Sequence, residues 1–126
     1  MIVREAIVSD PRVLAADATA REAAELLTRP QVRSALVADG NRLLGCVTLE
    51  SIGAAVAAGI DLRNATAADV CETDITTVAP DMPLDEALHL MAENGLERLP
   101  VTENGRLLGV LPREPIARRL AEDEPE

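Results

Sequence analysis

The chain has 126 residues, enough for one compact domain, and 48% of them are apolar although none is Phe, Tyr or Trp. Its net charge is −10, from 22 acidic residues against 12 basic ones, and every basic residue is Arg. No basic face is left to neutralise a phosphate backbone and no aromatic surface on which bases could stack, which argues against nucleic acid and against an anionic membrane as partners.

The opening run Met1 to Asp10 carries acids where a signal peptide needs apolar residues, and the longest apolar run, Ile52 to Ile60, is far short of a membrane span. A soluble, cytoplasmic protein is therefore expected. Cys46 and Cys71 lie in no CxxC pattern and beside no His, so they read as packing residues rather than metal ligands.

In chain order, Val13-Leu14 is a short strand, followed by a helix over Ala20 to Thr28 and a strand over Ser34 to Ala38. Asp39-Gly40-Asn41 turns the chain into a returning strand, Leu43 to Thr48, and a helix starts at about Ser51. That helix is dense in Ala from Gly53 to Gly59, which suits close packing within a pair of units or across a dimer. Ile75 to Val78 is a β-prone run ended by Ala79-Pro80-Asp81. A helix over Leu84 to Asn94 places Leu84, Ala87, Leu88 and Met91 on one face, carries Asp85 and Glu86 in its first turn, and stops at Gly95. Arg98 to Thr102, the turn Glu103-Asn104-Gly105 and Leu107 to Leu111 make a second hairpin, Pro115 opens a last helix, and the tail from Glu122 frays. His89 lies off the apolar stripe of its helix and has no visible base or nucleophile partner, so it reads as solvated or as a helix-pairing residue.

The two halves are copies. With Gly45 laid over Gly109, an offset of 64 residues, the chain aligns with itself without a gap. Twelve of the 43 positions from Asp10 to Ile52 are identical, among them Asp17/Asp81, Glu22/Glu86, Ala23/Ala87, Val37/Val101 and Arg42-Leu43-Leu44-Gly45/Arg106-Leu107-Leu108-Gly109, against roughly three or four expected by chance. The expected fold is α/β of the α+β type, two pseudo-symmetric β-α-β-β-α units packed as one module. Residues 1–60 form motif one, 61–66 a linker, 67–120 motif two and 121–126 a flexible acidic tail.

The second copy closely resembles a CBS (cystathionine β-synthase) domain. The resemblance rests on Ala68-Asp69-Val70-Cys71, Thr77-Val78-Ala79-Pro80-Asp81, Glu86-Ala87-Leu88 with Met91, Arg98-Leu99-Pro100-Val101, and Gly105-Arg106-Leu107-Leu108-Gly109-Val110. The first copy matches at Asp17, Glu22-Ala23 and Gly45-Cys46-Val47-Thr48 with Ile52. The resemblance implies a Bateman module, a pair of such domains commonly doubled into a homodimer. It also implies regulation through an adenine nucleotide or S-adenosylmethionine held in clefts between the motifs, with no required cofactor. AMP, ADP, ATP and S-adenosylmethionine are the ligands it suggests, and an enzyme or transporter is the partner class.

In that family a Gly, two apolar residues, Ser or Thr, two residues and Asp follow the hairpin. The hydroxyl caps a helix and meets phosphate or ribose, and the carboxylate accepts the ribose hydroxyls. Copy one keeps Thr48 and has Ser51 in place of the Asp; copy two has Pro112 and Pro115, losing both groups. Each lost hydrogen bond costs about 1–3 kcal/mol, so the first cleft is weakened and the second is poor for ribose. Arg33 and Arg98 stand where the family often sets basic residues against phosphate; the alternative for each is a surface ion pair. The resemblance thus gives Val13, Leu14, Arg33, Ser34, Thr48, Ser51, Thr77, Val78, Arg98 and Pro100 as candidate ligand-binding residues. No catalytic residue or metal site is expected, because no nucleophile–base pair, metal-ligand cluster or Gly-rich phosphate loop is present. Two readings stay open: a ligand-sensing regulatory module, and a structural or dimerisation module with degenerate clefts that acts through a protein partner.

Overall fold

The computed structural model describes residues 1–9, 12–30 and 32–113. The helix expected from Pro115 and the tail from Glu122 lie outside the described residues. The chain divides into two compact units, one formed by Pro11–Ile75 and the other by Met1–Asp10 together with Thr76–Glu126.

The first unit contains β1 (Val13–Ala15), α1 (Ala20–Leu27), β2 (Ser34–Asp39), β3 (Arg42–Thr48), α2 (Leu49–Ala57) and the short α3 (Ala67–Val70). β1 runs parallel to β2, with Val13 opposite Leu36, and β2 pairs antiparallel with β3, with Ser34 opposite Thr48. Thr19 caps α1 by accepting a hydrogen bond from the Glu22 N–H at 3.0 Å. Ala20, Ala23 and Leu27 form its buried stripe and join Val37, Val47, Ile52 and Ala55 in the core.

The second unit contains α4 (Leu84–Glu93), β4 (Arg98–Glu103) and β5 (Arg106–Pro112). β4 and β5 pair antiparallel, with Arg98 opposite Pro112. Leu84, Ala87 and Met91 bury one face of α4 against Leu99, Val101 and Leu111. Each hairpin slips register once, between Val37 and Ala38 and between Val101 and Thr102, positions related by the same 64-residue offset. The turns differ: only Gly40 takes a positive φ in the first, whereas Asn104 and Gly105 both do in the second, a II′-like and a I′-like reversal.

Ile75 to Val78 forms less strand than its composition predicts. Val78 alone bridges to Val101, through Val78 N–H to the Pro100 carbonyl at 3.1 Å and Thr102 N–H to the Val78 carbonyl at 2.9 Å. Extending this parallel ladder backwards would require a hydrogen bond donated by residue 100, and proline has no N–H to give. Leu36 holds the equivalent place in the first unit and carries that donor, so β1 forms there.

The boundaries of the units also differ from the order of the copies, because the lead segments are exchanged. Residues 1–8, including a 3-10 turn at Val3–Glu5, lie on the second unit, and residues 65–72 lie on the first. Val3 N–H bonds to the Met82 carbonyl and Leu84 N–H to the Met1 carbonyl; 64 residues on, Ala67 N–H bonds to Ala18 and Ala20 N–H to Ala65. Val8 and Val110 exchange two bonds of 2.9 Å, as Glu72 and Cys46 do at 2.7 and 2.9 Å. Glycine is needed where each strap crosses: a Cβ on Gly109 would stand 2.6 Å from the Val8 carbonyl oxygen, and one on Gly45 would collide with that of Glu72. The straps also supply acceptors to the first N–H groups of α1 and α4, which matters for α4 because Pro83 at its cap has no capping side chain.

Candidate functional site

Parallel pairing of β1 with β2 and antiparallel return through β3 bring the starts of β1 and β2 and the end of β3 to one edge of the first unit. Val13, Ser34 and Thr48 therefore share that edge, with Arg33 just before β2 and Ser51 in the first turn of α2. Val13 and Arg33 are exposed, while Leu14, Ser34, Thr48 and Ser51 are half-buried. Arg12, half-buried and directly before β1, reaches the same edge. Its relevance depends on the direction of β1, which residue spacing does not reveal.

Thr48 and Ser51 form a reciprocal cap, which explains why α2 begins at Leu49 rather than at the expected Ser51. Ser51 N–H donates to Thr48 Oγ1 at 3.0 Å, Thr48 N–H donates to Ser51 Oγ at 2.9 Å, and Ser51 Oγ donates to the Thr48 carbonyl at 2.9 Å. Ser51 has thus spent its one proton. Thr48 Oγ1 is used only as an acceptor in this set, so its own O–H is left to donate to another group. With the Arg33 guanidinium, the Ser34 hydroxyl and the N-terminal end of a nine-residue helix, the edge is rich in donors and suits an anion.

The corresponding edge of the second unit is chemically different. Pro112 stands opposite Arg98 in place of a capping hydroxyl, and the Arg113 N–H is committed to the Glu97 carbonyl at 2.9 Å. Thr77 is exposed, but Val78 and Pro100 are buried, and both backbone groups of Val78 are engaged in the bridge described above. Among the candidates in this unit, side-chain donors are confined to Thr77 and the half-buried Arg98.

Other groups have local roles. His89 is exposed and pairs with Glu93 at 2.9 Å along α4, matching the solvated reading. Cys46 is half-buried rather than a full core residue, because it faces away from the Val47 side of β3. Burial pushes the Cys71 thiol up, opposed by a backbone hydrogen bond and reinforced by the charges of Glu72 and Asp69. A shallow depression lined by Ile60, Asp61, Asn64, Ala65 and Asp69 is acidic and ill-suited to phosphate. There the Arg63 N–H and guanidinium hold Asp61 below the usual carboxylate range. Among the described residues no group of three or more His, Cys, Asp or Glu could hold a metal ion, and no helix is long and apolar enough to cross a membrane.

The CBS domain family model matches the chain twice, over residues 3–57 and 67–122. The chain belongs to the CBS domain family. Among sequence relatives, hypoxic response protein 1 of Mycobacterium tuberculosis is 35% identical over 85 residues, 67% of this chain and 59% of that protein. The first curated relatives are longer, and this CBS pair spans 36% and 59% of their lengths. The solved structure of AcuB from Vibrio cholerae superposes with a TM-score of 0.79 at 27% identity, covering 99% of this chain and 98% of that one. CBSX2, crystallised with AMP, shares the fold of this CBS pair at a TM-score of 0.75 and 22% identity, covering 96% of each chain.

Proposed function

We propose that this CBS pair is a regulatory sensor that binds one adenylate-type ligand per chain, on the donor-rich edge of the first unit, and passes its occupancy to an enzyme or transporter partner. The observation that carries the reading is the difference between the two edges. The first edge carries the Thr48 and Ser34 hydroxyls and the Arg33 guanidinium, whereas on the second Pro112 replaces the capping hydroxyl, Glu97 stands in the place of Arg33 and the Arg113 N–H is committed, which leaves Arg98 and Thr77 as its side-chain donors. The AMP complex of CBSX2 supports an adenylate as the ligand class. Calorimetric titration with AMP, ADP, ATP and S-adenosylmethionine tests it: saturable heat near one equivalent is expected with at least one of them. No heat and no thermal stabilisation at millimolar ligand overturns the reading.

A second role, dimerisation, is favoured by the outer face of α2. Leu49 (67% exposed), Gly53, Val56 (51% exposed) and Ala57 fall at helical spacing on that face, and none carries a charge. A homodimer through this face accounts for two large apolar side chains left in water. Sedimentation should find a dimer that Val56→Glu dissociates, and a monomeric wild type at tens of micromolar would refute it.

A further inference from the structure

We infer that Asn104 is a site of spontaneous covalent modification: its side chain cyclises onto the Gly105 nitrogen and reopens as aspartate or isoaspartate, in the second hairpin and not in the first. The reaction needs no partner but water. The Gly105 nitrogen gives up its proton and bonds to Asn104 Cγ, the Cγ–Nδ2 bond breaks, and ammonia leaves with that proton. Water then adds to either carbonyl of the resulting imide. Breaking the new Cγ–N bond yields aspartate. Breaking the original peptide C–N bond yields isoaspartate, with the main chain running through Cβ and Cγ.

Cyclisation needs a following residue without a side chain, an attacking N–H not held elsewhere, and an amide free to turn. Asn41 is followed by Arg42 and Asn64 by Ala65, so both fail the first requirement, whereas Asn94 and Asn104 each precede glycine. Asn94 is restrained: its Nδ2 donates to the Leu90 carbonyl at 2.8 Å, and the Gly95 N–H donates to the Ala92 carbonyl at 3.4 Å. Asn104 and Gly105 are exposed, and among the described residues neither the Asn104 amide nor the Gly105 N–H has a hydrogen-bond partner. Asn104 also holds a φ of 54°, a left-handed conformation that an L-residue leaves without intrinsic penalty. The first hairpin reverses through Gly40-Asn41, the same two residue types in the opposite order, which sets the Arg42 side chain at the attacking position. Isoaspartate adds a main-chain carbon to the two-residue turn that fixes Glu103 opposite Arg106, and Glu103 holds Arg4 of the strap at 3.4 Å. Aspartate, by contrast, suits the same turn.

The test ages the purified chain at mildly alkaline pH, once folded and once in guanidinium chloride, and then measures the masses of its tryptic peptides. Leu99–Arg106 reports Asn104, Ser34–Arg42 reports Asn41, and fragmentation within Asn64–Arg98 reports Asn94. In the folded chain Asn104 should convert about fivefold or more faster than Asn94, the factor that one net hydrogen bond is worth. In guanidinium chloride, where both simply precede glycine, the two rates should agree within about twofold. A folded ratio below about fivefold, or a folded Asn104 no faster than Asn41, overturns the inference. A ratio as large in denaturant as in the folded chain overturns the part given to the hydrogen bonds. The aged wild type should also acquire a fraction of lower urea midpoint that fresh Asn104→Asp lacks, and equal midpoints overturn the effect on the hairpin.

Discussion

Val3→Ala is the sharpest probe of the exchanged straps. Val3 belongs to the first motif in sequence, but its side chain is fully buried with Leu84, Met91 and Leu99 in the second unit. Truncation removes two methyl groups, about 1.6 kcal/mol of transfer free energy at ~0.8 per carbon. Incomplete relaxation of the cavity should bring the loss to about 2–3 kcal/mol. For a chain of this size that is roughly 6–12 °C in melting temperature. Val8→Ala is the control, on the same strap and with the same chemical change, but at a side chain 47% exposed. It should stay within about 0.5 kcal/mol of wild type. Without Trp or Tyr the assay is urea unfolding followed by far-ultraviolet circular dichroism. Equal effects for the two variants, or a loss below about 0.5 kcal/mol for Val3→Ala, would refute the assignment of the strap to the second core.

Gly109→Ala sets a Cβ against the Val8 carbonyl, so it should cost about 1–3 kcal/mol and speed tryptic cleavage after Arg4; an unchanged urea midpoint would contradict the close crossing. Thr48→Ala removes the α2 cap and should cost about 1 kcal/mol while weakening AMP binding; Thr48→Ser should restore both, and equal behaviour of the two variants would contradict the role of the hydroxyl. Because burial raises the Cys71 pKa, less thiolate is present at any pH below it, so iodoacetamide at pH 8 should alkylate Cys71 more slowly in the folded chain than in urea. Equal rates would contradict that burial.

Much of the fold was legible in the residues. The periodicity of Leu84, Ala87 and Met91 gave α4, the Gly and Asn pairs gave the hairpins, and the repeat gave the duplicated units. What escaped was set by partners distant in sequence. Pro100 cancels a strand whose own composition favours one, and only the pairing of β4 with residue 78 exposes the missing donor. The exchange of residues 1–8 and 65–72 was hidden because each strap is compatible by sequence with either copy. Its one local trace is the glycine at 45 and 109, an identity in the repeat whose reason is the backbone crossing over it. At the candidate site the sequence supplied Thr48, Ser51, Ser34 and Arg33, but not the reciprocal cap that spends the Ser51 hydroxyl. Arg12, directly before β1, belongs to the same edge but is not among the residues that the resemblance marks.

The central claim, a single adenylate site on the first unit, is tested most directly by titrating AMP into isotope-labelled protein and following backbone amide resonances. Saturable shifts are predicted at Arg33, Ser34, Thr48, Leu49 and Ser51, with Arg98 and Arg113 unmoved. Shifts confined to the second unit, equal shifts at both edges, or none at several millimolar AMP would contradict it.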